Sequence, residues 1–279
     1  MKTLYLSDLD GTLLNKNAEL SPVTAQKLGR LIAGGLAFSV ATARTQMSAL
    51  RILDGLCLNL PVILLNGVLI YDTAQKAYRK VHAIAPDTVR GILEILRENR
   101  VMGLLYALRN GELVTYYESA AEGPVRAFMT EREKKYGQRF VLTSFAEVSP
   151  DDVVYFTLLD VHGRLAPVRD ALGALPGLHR DLYTDIYSED LWYLECFSAA
   201  ASKYNGAVYL KESLGFDRLV GFGDNLNDLP LFEACDVRVA VANARPEVRA
   251  AADCLCGANT EDGVARWLEE NEALYTLLR

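Results

Sequence analysis

Several features are scarce or missing in this chain of 279 residues, and their absence narrows what it can be. No stretch approaches the ~18 uncharged apolar residues of a membrane-crossing helix, and Asp8 and Asp10 interrupt the apolar start. Neither a membrane span nor a secretory leader is expected. Positive charge is in deficit, with 29 Lys and Arg against 36 Asp and Glu and a formal net charge of −7. That balance argues against nucleic acid as the main partner, and an anionic ligand would need a local positive site. Cysteines are few, odd in number and scattered (Cys57, Cys196, Cys235, Cys254, Cys256), as suits reduced thiols in a cytosol. Cys254-x-Cys256 lacks the two-residue spacer of common zinc knuckles and has no histidine near it, so it reads as structural. No G-x-G-x-x-G follows the first strand, which disfavours a nicotinamide-binding protein. Low-complexity segments are absent. A cytoplasmic protein of two domains, without a membrane partner, is expected from length and composition.

What is present is organised around Thr3 to Leu14, TLYLSDLDGTLL. The short apolar run from Leu4 to Leu6 suits a strand buried on both faces. It ends in Asp8, Asp10 and Gly11. Side chains two apart on an extended chain point the same way, so both acids can face one small volume. Two such carboxylates repel and are costly to desolvate unless a positive group joins them. The simplest partner is a divalent cation, and all-oxygen ligation favours a hard ion such as Mg. An ordinary solvated turn is the alternative for DxDG alone.

Ser21-Pro22 predicts a helix start, and the helix should run to about Ala33. Leu36–Ala41 is a second buried strand, leading into Thr42-Ala43-Arg44-Thr45 and a helix to about Leu53. Pro61–Leu65 is a third strand, ending in Asn66-Gly67. Short hairpin arms follow at 69–71 and 77–81. Strand–helix alternation with apolar strands implies a doubly wound parallel sheet, whose ligands bind beyond the strands' carboxyl ends. From about residue 83 the rhythm changes to an amphipathic helix (86–99), further helices (124–136, 165–172) and antiparallel strands, with a hairpin turn at Asn110-Gly111. Strand-like runs lie near 153–160, 182–186 and 191–197. The parallel rhythm resumes at about 198, with Lys203 in the first turn of a helix, a strand at 219–222, and then GDNLND from Gly223 to Asp228. The expected organisation is α/β: residues 1–82 and 198–279 form a Rossmann-like core, and 83–197 an inserted α+β domain.

Asp224 and Asp228, four apart just past a buried strand, form a second acidic cluster on the same rim. Alone they could be an N-cap and a second-turn acid. With Asp8 and Asp10 they make four carboxylates that call for a cation. Lys203 sits where the helix dipole mildly disfavours a lysine, and a phosphoryl group at the rim would account for it. Thr42 offers a hydroxyl and nearby backbone N–H groups to phosphate oxygens, or else an N-cap for the next helix.

DLDGTLL, the TAR after the second strand, the lone Lys203 and GFGDNLND resemble the four ordered motifs of haloacid dehalogenase-type phosphatases. The LNG after the third strand, AVANARPEVRAAAD and TEDGVA are similar to the Cof-type subfamily, whose large α/β cap is inserted after that strand. Tyr204 stands where the family commonly has Gly after the lysine, and Ala43 where its ATGR motif has Gly. The resemblance implies a Mg-dependent phosphatase of small phosphorylated metabolites. Asp8 would be the nucleophile forming an aspartyl-phosphate, and Asp10 the general acid and then base. Asp8, the Asp10 backbone carbonyl, Asp224 and Asp228 would hold Mg. Lys203 and Thr42 would hold the transferring oxygens, with Leu9, Ala43, Arg44, Asn66 and Asn227 as further substrate- or phosphate-binding residues; Arg44 on the rim could touch substrate or cap, or else lie on a helix surface. The cap should close over the rim and choose the substrate. Its aromatics Tyr155, Tyr187, Trp192 and Tyr193 could line that space, with core packing the plainer reading. His162 and His179 read as surface loop residues. A phosphosugar mutase is the runner-up, and a catalytically silent sugar-phosphate-binding regulator the alternative from another class.

Overall fold

The computed structural model describes residues 1–119, 123–184 and 190–271. Two compact units emerge. Met1–Lys80 and the chain from Ser202 form the first, and Val81–Ala201 the second.

The first unit opens with β1 (Thr3–Ser7), whose last four residues are buried. Helix α1 (Pro22–Ala33) starts where the sequence predicts, because the Ser21 hydroxyl accepts the Thr24 N–H at 3.0 Å and Pro22 fills the first helical position. Then come β2 (Phe38–Val40), α2 (Gln46–Ile52), β3 (Val62–Leu64), β4 (Leu69–Asp72) and β5 (Ala77–Val81). Thr45, not Thr42, stands at the N-cap position of α2, so the capping alternative for Thr42 falls away. The third strand belongs mainly to a small antiparallel sheet, β3-β4-β5. It meets β2 through one parallel bridge, Ala41–Ile63.

The second unit carries α3 (Pro86–Asn99), β6 (Gly103–Arg109), β7 (Glu112–Tyr117), α4 (Pro124–Tyr136), β8 (Phe140–Leu142), β9 (Val153–Asp160), α5 (His162–Leu172), β10 (Leu178–Thr184) and β11 (Trp192–Ser198). Its sheet runs β10-β11-β9-β6-β7-β8, antiparallel apart from the β7–β8 pair. Val89, Ile92 and Leu96 of α3, with Leu165, Val168 and Leu172 of α5, pack on Leu105, Phe156, Leu194 and Cys196 of the sheet. On each helix these are the i, i+3 and i+7 positions of one apolar face, and each such buried side chain contributes about 1.5–3 kcal/mol. Tyr155 is a core residue, stacked on Phe197 at 5.1 Å, and Tyr193 stacks on Tyr183 at 5.5 Å. Trp192 packs against His162, which opens α5. His179 lies in β10 with Nε2 2.8 Å from Asp181, so the loop placement expected for both histidines is corrected. Tyr187 and the end of the expected 182–186 strand lie outside the described residues.

The chain then returns to the first unit with α6 (Lys203–Leu214), β12 (Arg218–Gly223), α7 (Leu229–Ala234), β13 (Val237–Val241), α8 (Pro246–Ala251), β14 (Cys254–Cys256) and α9 (Gly263–Glu270). The main sheet is parallel, in the order β14-β13-β12-β1-β2. Leu4 and Leu6 of β1 join Ile63, Leu210, Leu219 and Leu231 in its core. With β12 central and β1 beside it in parallel, the segments after both strands emerge together at one carboxyl edge. Among the described residues, no helix is long and apolar enough to cross a membrane.

Candidate active site

Asp8 leaves β1 at that edge, its N–H donating to the Phe222 carbonyl of β12 at 3.0 Å. The chain then makes one irregular helical turn, Leu9–Leu13, instead of continuing extended. Gly11 makes this turn possible at φ +76°. A Cβ there would stand 2.4 Å from Asp224 Oδ2, so only glycine lets the two acidic loops approach.

Lys203, the first residue of α6, supplies the cation. It is 1 % exposed, and its Nζ donates to Asp8 Oδ1 at 2.7 Å and to Asp228 Oδ1 at 2.6 Å. Asp228 Oδ2 in turn accepts the N–H groups of Asp224 and Asn225 at 2.9 and 3.0 Å. Both Asp228 oxygens are therefore engaged, and its carboxylate ties the loop after β12 to α6. Asp224 takes the Thr12 hydroxyl on Oδ1 at 2.7 Å.

Burial dominates the electrostatics. It pushes the Asp8 carboxyl well above the usual range, against the pull of Lys203 and with added pressure from Asp228, Asp224 and Asp10. Burial, then Asp228, raises Asp224 to about 7, while the Thr12 bond works the other way. Burial also opposes the charge on Lys203, but Asp228 and Asp8 outweigh it and hold the ammonium charged above its ordinary range. Asp8, Asp224 and Asp228 each offer a carboxylate oxygen, all within 4.8 Å of one another. Buried Asp8 and Asp228 share one lysine while half-buried Asp224 lies beside them, so the cluster is short of positive charge, and its hard oxygens suit a divalent cation.

Asp10 takes a different partner. Arg44 clamps it with two donors, Nε to Oδ2 and Nη2 to Oδ1, both 2.6 Å. Thr42 is buried at the end of β2, with its hydroxyl accepting the Arg44 N–H at 3.2 Å. Asn66 is buried at φ +54° and accepts a 3.4 Å bond from Asn227 Nδ2 on Oδ1. That contact brings the loops after β3 and β12 together. The Leu9 side chain is fully buried, and Ala43 lies half-buried between Thr42 and Arg44.

Four further residues shape the site without having been singled out in the sequence. Thr12 holds Asp224, and Ser48 accepts from Arg44 Nη1 at 2.7 Å. Asn243 donates to the Gly11 carbonyl at 2.8 Å, and Asn259 donates to the Leu14 carbonyl at 2.8 Å. The Asn259 N–H also reaches Asn243 Oδ1, so the pair fastens the loop that carries Asp10. Asn243 follows β13 much as Asn66 follows β3, and its place on the rim was a usable signal.

A parallel sheet with acids, a lysine and amide side chains at its carboxyl edge defines an α/β core with a candidate catalytic rim. The family model for haloacid dehalogenase-like hydrolases matches residues 5–268, and the chain belongs to that family. The pyridoxal phosphate phosphatase YbhA of Escherichia coli is 27 % identical, covering 94 % of this chain and 95 % of its own length. The 5-amino-6-(5-phospho-D-ribitylamino)uracil phosphatase YitU of Bacillus subtilis is 24 % identical, covering 96 % of each. A haloacid dehalogenase-like hydrolase from Bacteroides thetaiotaomicron has the same fold, with a TM-score of 0.82 at 23 % identity over 97 % of this chain and 99 % of that one. The recognition made from the motifs holds, and the chain is a phosphoric monoester hydrolase.

Proposed function

We propose that this enzyme is a Mg-dependent phosphatase of small phosphorylated metabolites, acting through an aspartyl-phosphate on Asp8. The observation that carries the reading is the buried Lys203 ammonium between Asp8 and Asp228, with Asp224 within 4.8 Å of both acids. Lysine orients Asp8 and pulls against the burial that raises its carboxyl, so the ammonium favours the carboxylate that a nucleophile requires. Asp8 attacks phosphorus, and the bond from phosphorus to the leaving oxygen breaks. Asp10 gives that oxygen a proton, then takes one from the water that attacks the phosphorylated Asp8 and releases inorganic phosphate. Lys203 and the Thr42 hydroxyl hold the transferring oxygens, whose charge must be balanced in a loose transition state. Leu9 and Ala43 contribute backbone N–H groups, and Asn66 and Asn227 orient the anion or its neighbours.

The acids fit a divalent ion by donor chemistry and by their shortage of positive charge. Asp8, the Asp10 carbonyl and Asp224 would hold it. Asp228, with both oxygens already bonded, would reach it through water. When bound, the ion supplies charge that offsets repulsion between Asp8 and the phosphoryl group. Val81–Ala201 would serve as the domain that selects the substrate.

The test is a panel of phosphomonoesters read by released phosphate. Pyridoxal 5′-phosphate and the ribitylaminouracil phosphate come first, since relatives are named for them, then flavin mononucleotide and sugar phosphates. Hydrolysis that stops with excess EDTA and returns with Mg is expected. Full activity in chelator would remove the metal from the account, and phosphate transfer without release would turn it toward a mutase.

A further inference from the structure

Arg44 was expected among the phosphate ligands, yet its donors are spent elsewhere. Nε and Nη2 grip both oxygens of Asp10, and Nη1 reaches the buried Ser48 hydroxyl at 2.7 Å. Its main chain is pinned as well, the N–H to Thr42 Oγ1 and the carbonyl by the Leu65 N–H at 3.1 Å. The side chain of Arg44 is 13 % exposed, while that of Asp10 is 41 % exposed on an irregular turn. An ion pair this open on its acid side adds little to stability, about 0–1 kcal/mol. What a two-point clamp does supply is orientation, because the planar guanidinium fork fixes the plane and direction of the carboxylate it holds.

We infer that Arg44 is a positioning residue for Asp10 and not a ligand of the transferring phosphoryl group. The inference rests on the reading of Asp10 as the acid–base group. An Asp10 carboxylate on a loop could rotate away from the reacting oxygen; the Arg44–Ser48 arm removes that freedom. Misplacing a catalytic group by about 1 Å lowers rate by about 10²-fold while leaving ground-state binding alone. A lysine at 44 would keep the charge but lose the fork.

Four variants separate the alternatives, with p-nitrophenyl phosphate as substrate and inorganic phosphate as inhibitor: Arg44→Ala, Arg44→Lys, Asp10→Ala and the Asp10→Ala/Arg44→Ala double. Arg44→Ala and Arg44→Lys should both lower kcat by about 10²-fold, with KM and the phosphate inhibition constant within about twofold of the parent. In the Asp10→Ala background, Arg44→Ala should cost no more than about twofold, because the group it positions is gone. Arg44→Lys carries the test if the alanine variant fails to fold. A rise of about tenfold or more in KM and in the phosphate inhibition constant, cured by lysine, would make Arg44 a phosphate ligand and overturn the inference. So would an equal loss on Arg44→Ala with and without Asp10. Those two results leave the acid–base reading intact, whereas a parental rate in Asp10→Ala alone would end both.

Discussion

Both units bury carboxyl groups at a sheet, but they compensate them differently. In the first unit, Asp8 and Asp228 share the Lys203 ammonium at 2.7 and 2.6 Å. In the second, Glu195 of β11 lies directly opposite Asp181 of β10 on the ladder. Burial, then Asp181, pushes Glu195 up to about 7. The hydroxyls of Tyr155 and Tyr183 beside it favour its charge, although the Tyr155 hydroxyl makes no well-formed hydrogen bond. Arg132 helps less than either hydroxyl. The contrast separates two uses of a buried acid. A carboxyl clamped by lysine is aimed, with an ammonium opposing the burial that raises Asp8, and it stands where chemistry is proposed. A carboxyl surrounded by hydroxyls and another acid titrates near neutrality and costs its unit stability when it ionises.

Asp8→Asn breaks the comparison at its functional end and should have the largest effect. Turnover should fall by about 10⁴-fold or more while the thermal transition persists. A near-parental rate of phosphate release would remove Asp8 as nucleophile. Lys203→Met comes next. It leaves Asp8 and Asp228 buried without their ammonium, and should cost about 3–5 kcal/mol in urea unfolding at pH 8. An unchanged urea midpoint would mean that the lysine does not compensate these acids.

Glu195→Gln tests the other unit with the opposite sign. The folded value near 7 lies above the unfolded 4.5, so the protonated form favours folding. The wild-type penalty is absent below pH 4.5 and accrues as pH rises through 7. It amounts to about 3 kcal/mol when complete. The glutamine variant should therefore be more stable than wild type at pH 8 and no more stable at pH 4.5, read as amide-exchange protection in β9 and β11. A variant less stable at pH 8 would contradict the account.

The smallest expected effect is metal stabilisation. Mg at about 100 times its dissociation constant should stabilise the first unit by about 2.7 kcal/mol. Protons compete for Asp224, whose carboxyl titrates at about 7, so the gain in melting temperature should be larger at pH 8 than at pH 5.5. A gain independent of pH would argue that the ion binds elsewhere.

Much of this was legible in the chain. The acids at residues 8, 224 and 228 and Lys203 could be matched to one rim because each follows a buried strand or opens a helix, and alternation fixes that rim. The helix capped by Ser21 and the hairpin at Asn110-Gly111 follow from local chemistry, and both form as expected. The Arg44–Asp10 clamp was not legible, since Arg44 on the rim could equally face phosphate, the inserted domain or solvent. Asn243 and Asn259 carry amide groups that are uninformative until the fold brings them to the Gly11 and Leu14 carbonyls. Strand β8 was missed because three residues with two exposed apolar side chains carry no alternation to read. Helix α5 begins three residues earlier than expected because Pro167, inside it, masks the pattern of its first turns.

The most direct measurement is chemical trapping during turnover. The enzyme is mixed with p-nitrophenyl phosphate and Mg, quenched with borohydride, which reduces an acyl phosphate to homoserine, and digested for mass spectrometry. The account predicts homoserine at position 8, dependent on both substrate and Mg and absent from Asp8→Asn. Rapid phosphate release with aspartate intact at position 8, or reduction at another carboxylate, would contradict it.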